Sequence, residues 1–202
     1  MKKNRRFLVL IIFFTIFSIP LFSVEKKQDI STKIAVIFNT LCAKCHEGQC
    51  SGRLSLDNGS KAASSHIKRY AVDTEISTSE ENEFFTLLNY MKKECALLMP
   101  DNGKWKRKNL SYFAVPSHDS YFIPLGTLKS GDYTLIIKVK ESNCFRVEVI
   151  SNKLDSSLDE SLPSTAKEQN INFTIDEKLD YFLRIRSRKP IYIETLEIKK
   201  GD

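Results

Sequence analysis

The residues of this chain best equipped for chemistry are Cys42-Ala43-Lys44-Cys45-His46. Two thiols three positions apart stand one turn apart if the segment is helical, and an imidazole comes directly after the second. That spacing suits thioether formation with the two vinyl groups of a haem, with His46 reaching the iron as an axial ligand. Three other uses of the same cysteines compete: a disulfide-exchange pair, a zinc site and a plain disulfide. An exchange pair calls for a strand–helix–strand setting, and zinc for a second ligand pair at regular spacing; the sequence offers neither. The residues therefore read as holding one covalent haem c on Cys42 and Cys45, with His46 on the iron.

Such a motif needs elements to position it. Ser31 or Thr32 can cap a short helix in which Ile34, Ile37, Phe38 and Leu41 share one face, and this helix delivers the chain into Cys42. A longer helix is expected from Ser79 to about Leu98, with an acidic first turn at Glu80, Glu81 and Glu83. Phe84, Leu87, Leu88, Met91, Cys95 and Leu98 form its buried stripe, so Met91 reads as core. Pro100 stops it, and Asp101-Asn102-Gly103 is a turn. Beyond Gly103 the writing changes to alternating β-branched and aromatic residues. Strands are expected at Ser120 to Leu125, Tyr133 to Lys140, Cys144 to Ser151, Ile171 to Ile175, Tyr181 to Ser187 and Ile191 to Ile198, with Asn152 to Gln169 as a long loop.

Upstream, Lys2, Lys3, Arg5 and Arg6 precede an apolar run from Phe7 to Phe22, the pattern of a secretory signal cleaved near Ser23, or retained as an anchor. The expected organisation is thus α + β in two domains: signal 1–23, a small all-α haem domain 24–103, a basic linker and first strand approach 104–118, and an all-β sandwich 119–202.

Lys33 to Gly103 resembles a small class I cytochrome c domain. The resemblance rests on an opening helix, the attachment motif, a loop with Gly48 and Gly52, and a Glu-rich start to a helix ending Leu88-Asn89-Tyr90-Met91. It implies first and last helices crossing beside the haem, attachment outside the cytoplasm, and a sixth ligand from a Met-Pro pair. Met99-Pro100 has that wording but comes after the closing helix, where the family places it before. His66 is the alternative sixth ligand, as the one histidine between His46 and that helix, and Tyr70 can occupy the same place. An open sixth position is a third possibility, under which the chain would be a gas sensor or a haem enzyme. The strands Tyr181-Phe182-Leu183-Arg184-Ile185 and Ile191-Tyr192-Ile193-Glu194 resemble those of carbohydrate-binding sandwiches, which implies a part that brings the haem to a glycan or a protein.

Cys50 and Cys95 are expected to bridge the loop after the motif to the closing helix, given an oxidising compartment; two buried thiols are the alternative. Cys144 is left as a packed thiol. The net charge of +6 falls to about +2 without the four basic residues of the signal, which argues against nucleic acid. Lys104-Trp105-Lys106-Arg107-Lys108 reads as a solvated linker, or as a grip on an acidic partner or membrane surface. The function expected is an exported single-haem cytochrome passing electrons between periplasmic redox partner proteins.

Overall fold

The computed structural model describes residues 30–47, 59–70, 75–100, 107–141, 143–163 and 167–201. The side chains of residues 46, 59–63, 70 and 107–109 lie outside that description, as do the whole of the expected signal and Cys50.

Alternation of apolar and polar residues builds the strands β1 (Ser120–Leu128), β2 (Gly131–Val139), β3 (Phe145–Ser151), β4 (Ser156–Leu162), β5 (Glu168–Ile175), β6 (Leu179–Ser187) and β7 (Ile193–Lys200). They form two antiparallel sheets, one ordered β1-β6-β3-β4 and the other β5-β2-β7. In the three-stranded sheet only one face is buried: Tyr133, Leu135, Ile137 and Val139 of β2 point inward, and Ile171, Phe173 and Ile175 of β5 join them. In the four-stranded sheet both faces are covered, since Tyr181 through Ile185 are buried without a break. Registry gives one face to Ile123, Leu183, Ile185, Val147 and Val149, opposite the three-stranded sheet. The other face carries Phe122, Phe182, Arg184 and Glu148, and the helices lie over it.

Those helices are α1 (Thr32–Ile37), a π-helical turn (Phe38–Cys42), α2 (Ala43–His46), α3 (Gly59–Tyr70) and α4 (Thr78–Glu94), with a 3₁₀ turn (Arg107–Phe113) after them. Ser31 caps α1, its hydroxyl accepting from Ile34 N and donating to Glu83 Oε2 on α4 at 2.7 Å. α4 begins with a capping box between Ser77 and Glu80, slightly earlier than the expected Ser79, and ends where Cys95 takes a left-handed conformation (φ 46°). Lys33–Glu80 at 2.8 Å and Lys68–Glu81 at 3.0 Å tie α1 and α3 to α4.

The expectation of an all-α domain ahead of a separate sandwich is overturned. The protein is mostly β, two antiparallel sheets with a few short helices, and no large all-α unit exists among the described residues. The cause is burial. Ile34, Ala35, Val36 and Ile37 are all 0–1% exposed, so α1 is apolar on every side and needs neighbours on every side. Six residues cannot find them among two other helices. They find them in α4, the 3₁₀ turn and β1, and a single hydrophobic cluster runs from Ile34 to Leu196. Burying a large apolar side chain of this kind contributes about 1.5–3 kcal/mol, and part of that environment is the sheet, through β1. Of the stretch 104–118, expected as basic linker and first strand approach, residues 104–106 and the side chains of 107–109 lie outside the described residues, while Leu110, Phe113 and Val115 are buried in this core.

The expected long loop 152–169 contains β4, an edge strand in which only Leu158 and Leu162 are buried. Its Ser, Asp and Glu residues face water, as suits a strand that must not recruit another chain. No helix among the described residues is long and apolar enough to cross a membrane.

Candidate functional site

The cysteine motif sits at the end of a helix whose winding changes just before it. From Phe38 to Cys42 the backbone is π-helical, with Ala43 N–H bonding to Phe38 O, and α2 then carries Ala43 to His46 in α geometry. Single π turns of this kind cluster at functional sites because they re-aim the side chains that come after them. Thr40 donates its hydroxyl back to Val36 O, which satisfies a carbonyl at the irregular step. Cys42 and Cys45 are consequently one turn apart, Cys42 half-buried and Cys45 exposed, both as free thiols. Burial pushes the Cys42 thiol up to about 12, with the neighbouring Cys45 adding to the rise. A thiol held protonated is a poor nucleophile, the reverse of the low-pKa cysteine in a disulfide-exchange pair.

Two tethers hold this segment. Upstream, the wholly buried Asn39 donates from Nδ2 to Leu98 O at 2.9 Å, while its Oδ1 is buried without a partner among the described residues. The contact brings the segment after α4 against the turn that precedes Cys42, and Met99, next in the chain, is 4% exposed. Downstream, Glu47 bonds Arg184 Nη2, and Arg184 Nη1 bonds Glu148 Oε2 at 2.9 Å. The Arg184 side chain is 0% exposed and its guanidinium lies 5.8 Å from the Phe122 ring, itself stacked on Phe182. Burying that charge is tolerable only because two carboxylates and an aromatic face surround it. The residue after His46 is thereby pinned to the middle of the four-stranded sheet.

The other expected ligands are placed differently. His66 lies exposed on α3. Met91 is buried in the α4 stripe, as expected. Cys95 carries a free thiol at the end of α4, and Cys50 lies outside the described residues, so their expected bridge stays an expectation. Cys144 is exposed rather than packed. The His46 ring and all of Tyr70's side chain lie outside the description. Among the described residues no three His, Cys, Asp or Glu side chains gather into a cage for a metal ion.

Two concavities have no counterpart in the sequence pattern. Beside α2, Lys44 faces the end of the four-stranded sheet across a groove of about 820 Å³, where Arg146, Arg186, Arg188 and Lys189 also converge. Burial pulls the Lys44 ammonium down, and the Arg186 and Arg146 cations add to it. A smaller cleft of about 350 Å³ lies on the outer face of the three-stranded sheet, lined by Asp132, Thr134, Asn172 and Thr174 among others. There Thr134 donates to Asn172 Oδ1 at 2.8 Å and Thr174 to Asp132 Oδ1 at 2.7 Å. The sequence signal for the downstream tether is Arg184, a charge inside the apolar run Tyr181 to Ile185. The grooves give none, since each gathers residues from distant strands.

No protein-family model and no curated protein matches this chain. Among solved structures, the chain is similar to the CBM35 from Cellvibrio japonicus Abf62, at 16% identity over 41% of this chain and 68% of that one, with a TM-score of 0.27. It is also similar to the EclA C-terminal domain, a sugar-binding protein, at 15% identity over 40% of this chain and 64% of that one, with a TM-score of 0.26. Overlaps of that size leave the sandwich to be read from its own strands and registers.

Proposed function

We propose that this chain is an exported protein that carries one haem covalently on Cys42 and Cys45, with His46 as axial ligand, and passes electrons between partner proteins. The observation that carries the reading is the helical turn at Ala43–His46, which sets the two thiols one turn apart with the histidine directly after them. The donor set fits the group: an exposed and a half-buried thiol, an adjoining imidazole, and a buried thioether at Met99 whose neighbour Leu98 is fastened to Asn39. A bound haem would supply one-electron chemistry at iron, tuned by axial ligand and burial. The chain's own residues do the holding. Cys42 and Cys45 anchor, Glu47 and Arg184 fix the end of α2 to the sheet, and Asn39 fixes the segment that carries Met99. Met99 is the proposed sixth ligand because it is buried on that tethered segment, whereas His66 is exposed.

Acid–acetone extraction of protein produced in a host that exports and attaches haem tests this directly. The colour should stay with the polypeptide and be lost in Cys42→Ala/Cys45→Ala; haem that extracts completely, or none by mass, ends the reading. Met99→Ala should abolish the weak long-wavelength sulfur-to-iron band and lower the potential with haem still attached. A spectrum unmoved by Met99→Ala but converted to high spin by His66→Ala would hand the ligand role to His66. Carbon monoxide binding to wild-type protein without displacing a ligand would favour the gas-sensing or enzymatic alternative.

A second reading is favoured by the outer cleft of the three-stranded sheet. Its hydroxyls, amide and carboxylate at Thr134, Thr174, Asn172 and Asp132 are the groups that pair with sugar hydroxyls. Under it the sandwich targets the protein to a glycan. Binding on a glycan array that disappears in Asp132→Ala/Asn172→Ala would support it, and an array without signal would remove it.

A further inference from the structure

We propose that the groove between α2 and the end of the four-stranded sheet is a binding site for a small polyanion, a molecule bearing two or more carboxylate or phosphate groups. The inference stands apart from haem attachment and holds or fails without it. Five cations from three segments meet there: Lys44 from α2, Arg146 from β3, and Arg186, Arg188 and Lys189 from the end of β6 and just past it. Among the described residues no Asp or Glu lines it.

The arrangement is one a sheet disfavours. Arg146 stands directly opposite Arg186 in the β3–β6 ladder, and like charges so placed repel. The protein compensates only half of the pair. Asp159 bonds Arg146 through both nitrogens of its fork. Arg186 has no such partner: its Nη2 lies 3.9 Å from Glu148 Oε2, beyond hydrogen-bonding reach, and is buried without an acceptor among the described residues. Glu148 is already engaged by Arg184. Arg186 is thus the cation of the opposed pair that the sheet leaves without a close carboxylate, and an oxyanion in the groove that Arg186 lines would offset its charge. No ion pair among the described residues engages Lys44, Arg188 or Lys189, which are therefore available to the ligand's remaining charges.

Size selects the class of occupant. About 820 Å³ lies within the range of pockets that take small molecules, and a groove whose lining also includes Phe145 and Leu162 is unlike the flat patch on which a folded partner docks. Guanidinium forks favour planar carboxylates and phosphates alike, so the two sources are separated by experiment.

The full chain is titrated with citrate and, separately, with inorganic pyrophosphate, monitored by calorimetry and by amide chemical shifts. Saturable binding of either, weakening as salt rises and with shifts centred on residues 143–146 and 186–189, supports the site and names its preferred acid group. Arg188→Gln/Lys189→Gln and, independently, Lys44→Gln change exposed residues; each should weaken binding about tenfold or more with the thermal midpoint unchanged. Binding that does not saturate, or that is equal in both variants and wild type, overturns the proposal. So does binding of an acidic peptide where neither small anion binds, which would make the groove a protein interface.

Discussion

Arg184 is the residue on which the candidate site leans most. Its guanidinium is inaccessible to water and is held by Glu47 on the helical side and Glu148 on the strand side. Replacing it with Met removes the cation and leaves the buried Glu148 carboxylate with only the more distant Arg186 at 3.9 Å, for which the expected loss is about 3 kcal/mol. Urea denaturation should show a lowered midpoint with little change in slope, and Glu47→Gln should lose much less, since Glu47 is 21% exposed. Equal losses in the two variants would mean that the tether to the motif, and not the burial of Glu148, carries the energy. Residues at this scale are legible in the sequence only where they are contiguous. Cys42 to His46 can be read in one glance, whereas Arg184 and Glu47 are separated by 137 positions and meet only through the sheet. Arg146, Arg186 and Lys44 are invisible as a group for the same reason.

Among the elements, α4 is held at its start by the Ser77–Glu80 box. Glu80 is drawn down to about 2 from an ordinary value near 4.5, first by its bond to Lys33 and next by the Ser77 backbone N–H. Because the folded value lies below the ordinary one, this contribution is fully present above about pH 4.5 and is lost as pH falls toward 2. Stability measured across that window should decline less steeply in Glu80→Gln than in wild type, and Ser77→Ala should cost about 1 kcal/mol at pH 7. β4 makes a second prediction. It pairs with β3 alone and buries only Leu158 and Leu162, whereas β1, on the opposite edge, lies beneath the helices. Hydrogen exchange should therefore find the β4 amides opening faster than those of β1; the reverse order would mean that the helical cover is loose. The strands with clean alternation, β2 and β5 above all, can be read directly. β4 cannot, because Ser-Ser-Leu-Asp-Glu-Ser-Leu carries two apolar residues four apart and reads as loop. α3 escapes for a like reason, having Ile67 as its one buried residue among the side chains described.

At the scale of the whole molecule, the change of composition near Gly103 is real in sequence yet marks no break in the packing. Helical residues such as Ile37 and Leu87 and sheet residues such as Phe122 and Ile123 belong to one cluster, and Leu97 N–H bonds Asn152 O at 2.8 Å across the join. Unfolding should then be a single transition, with far-ultraviolet helical signal and near-ultraviolet aromatic signal lost at the same denaturant concentration. Two separated midpoints would show that the helices melt from the sandwich on their own. The two-domain expectation arose because periodicity reports which face of an element is apolar and is silent about which partner covers it.

The π turn before Cys42 has a bearing on handedness of presentation. It spends one residue more than an α turn would, so every side chain after it is set back by roughly 100° about the helix axis. Deleting Asn39 or Thr40 would leave a good helix and an intact motif, but the thiols would swing to a different compass bearing, away from whatever they now address. The chain thus contains a local gearing step: α1 can be oriented by its fit to the core, and the cysteines can be oriented by something else.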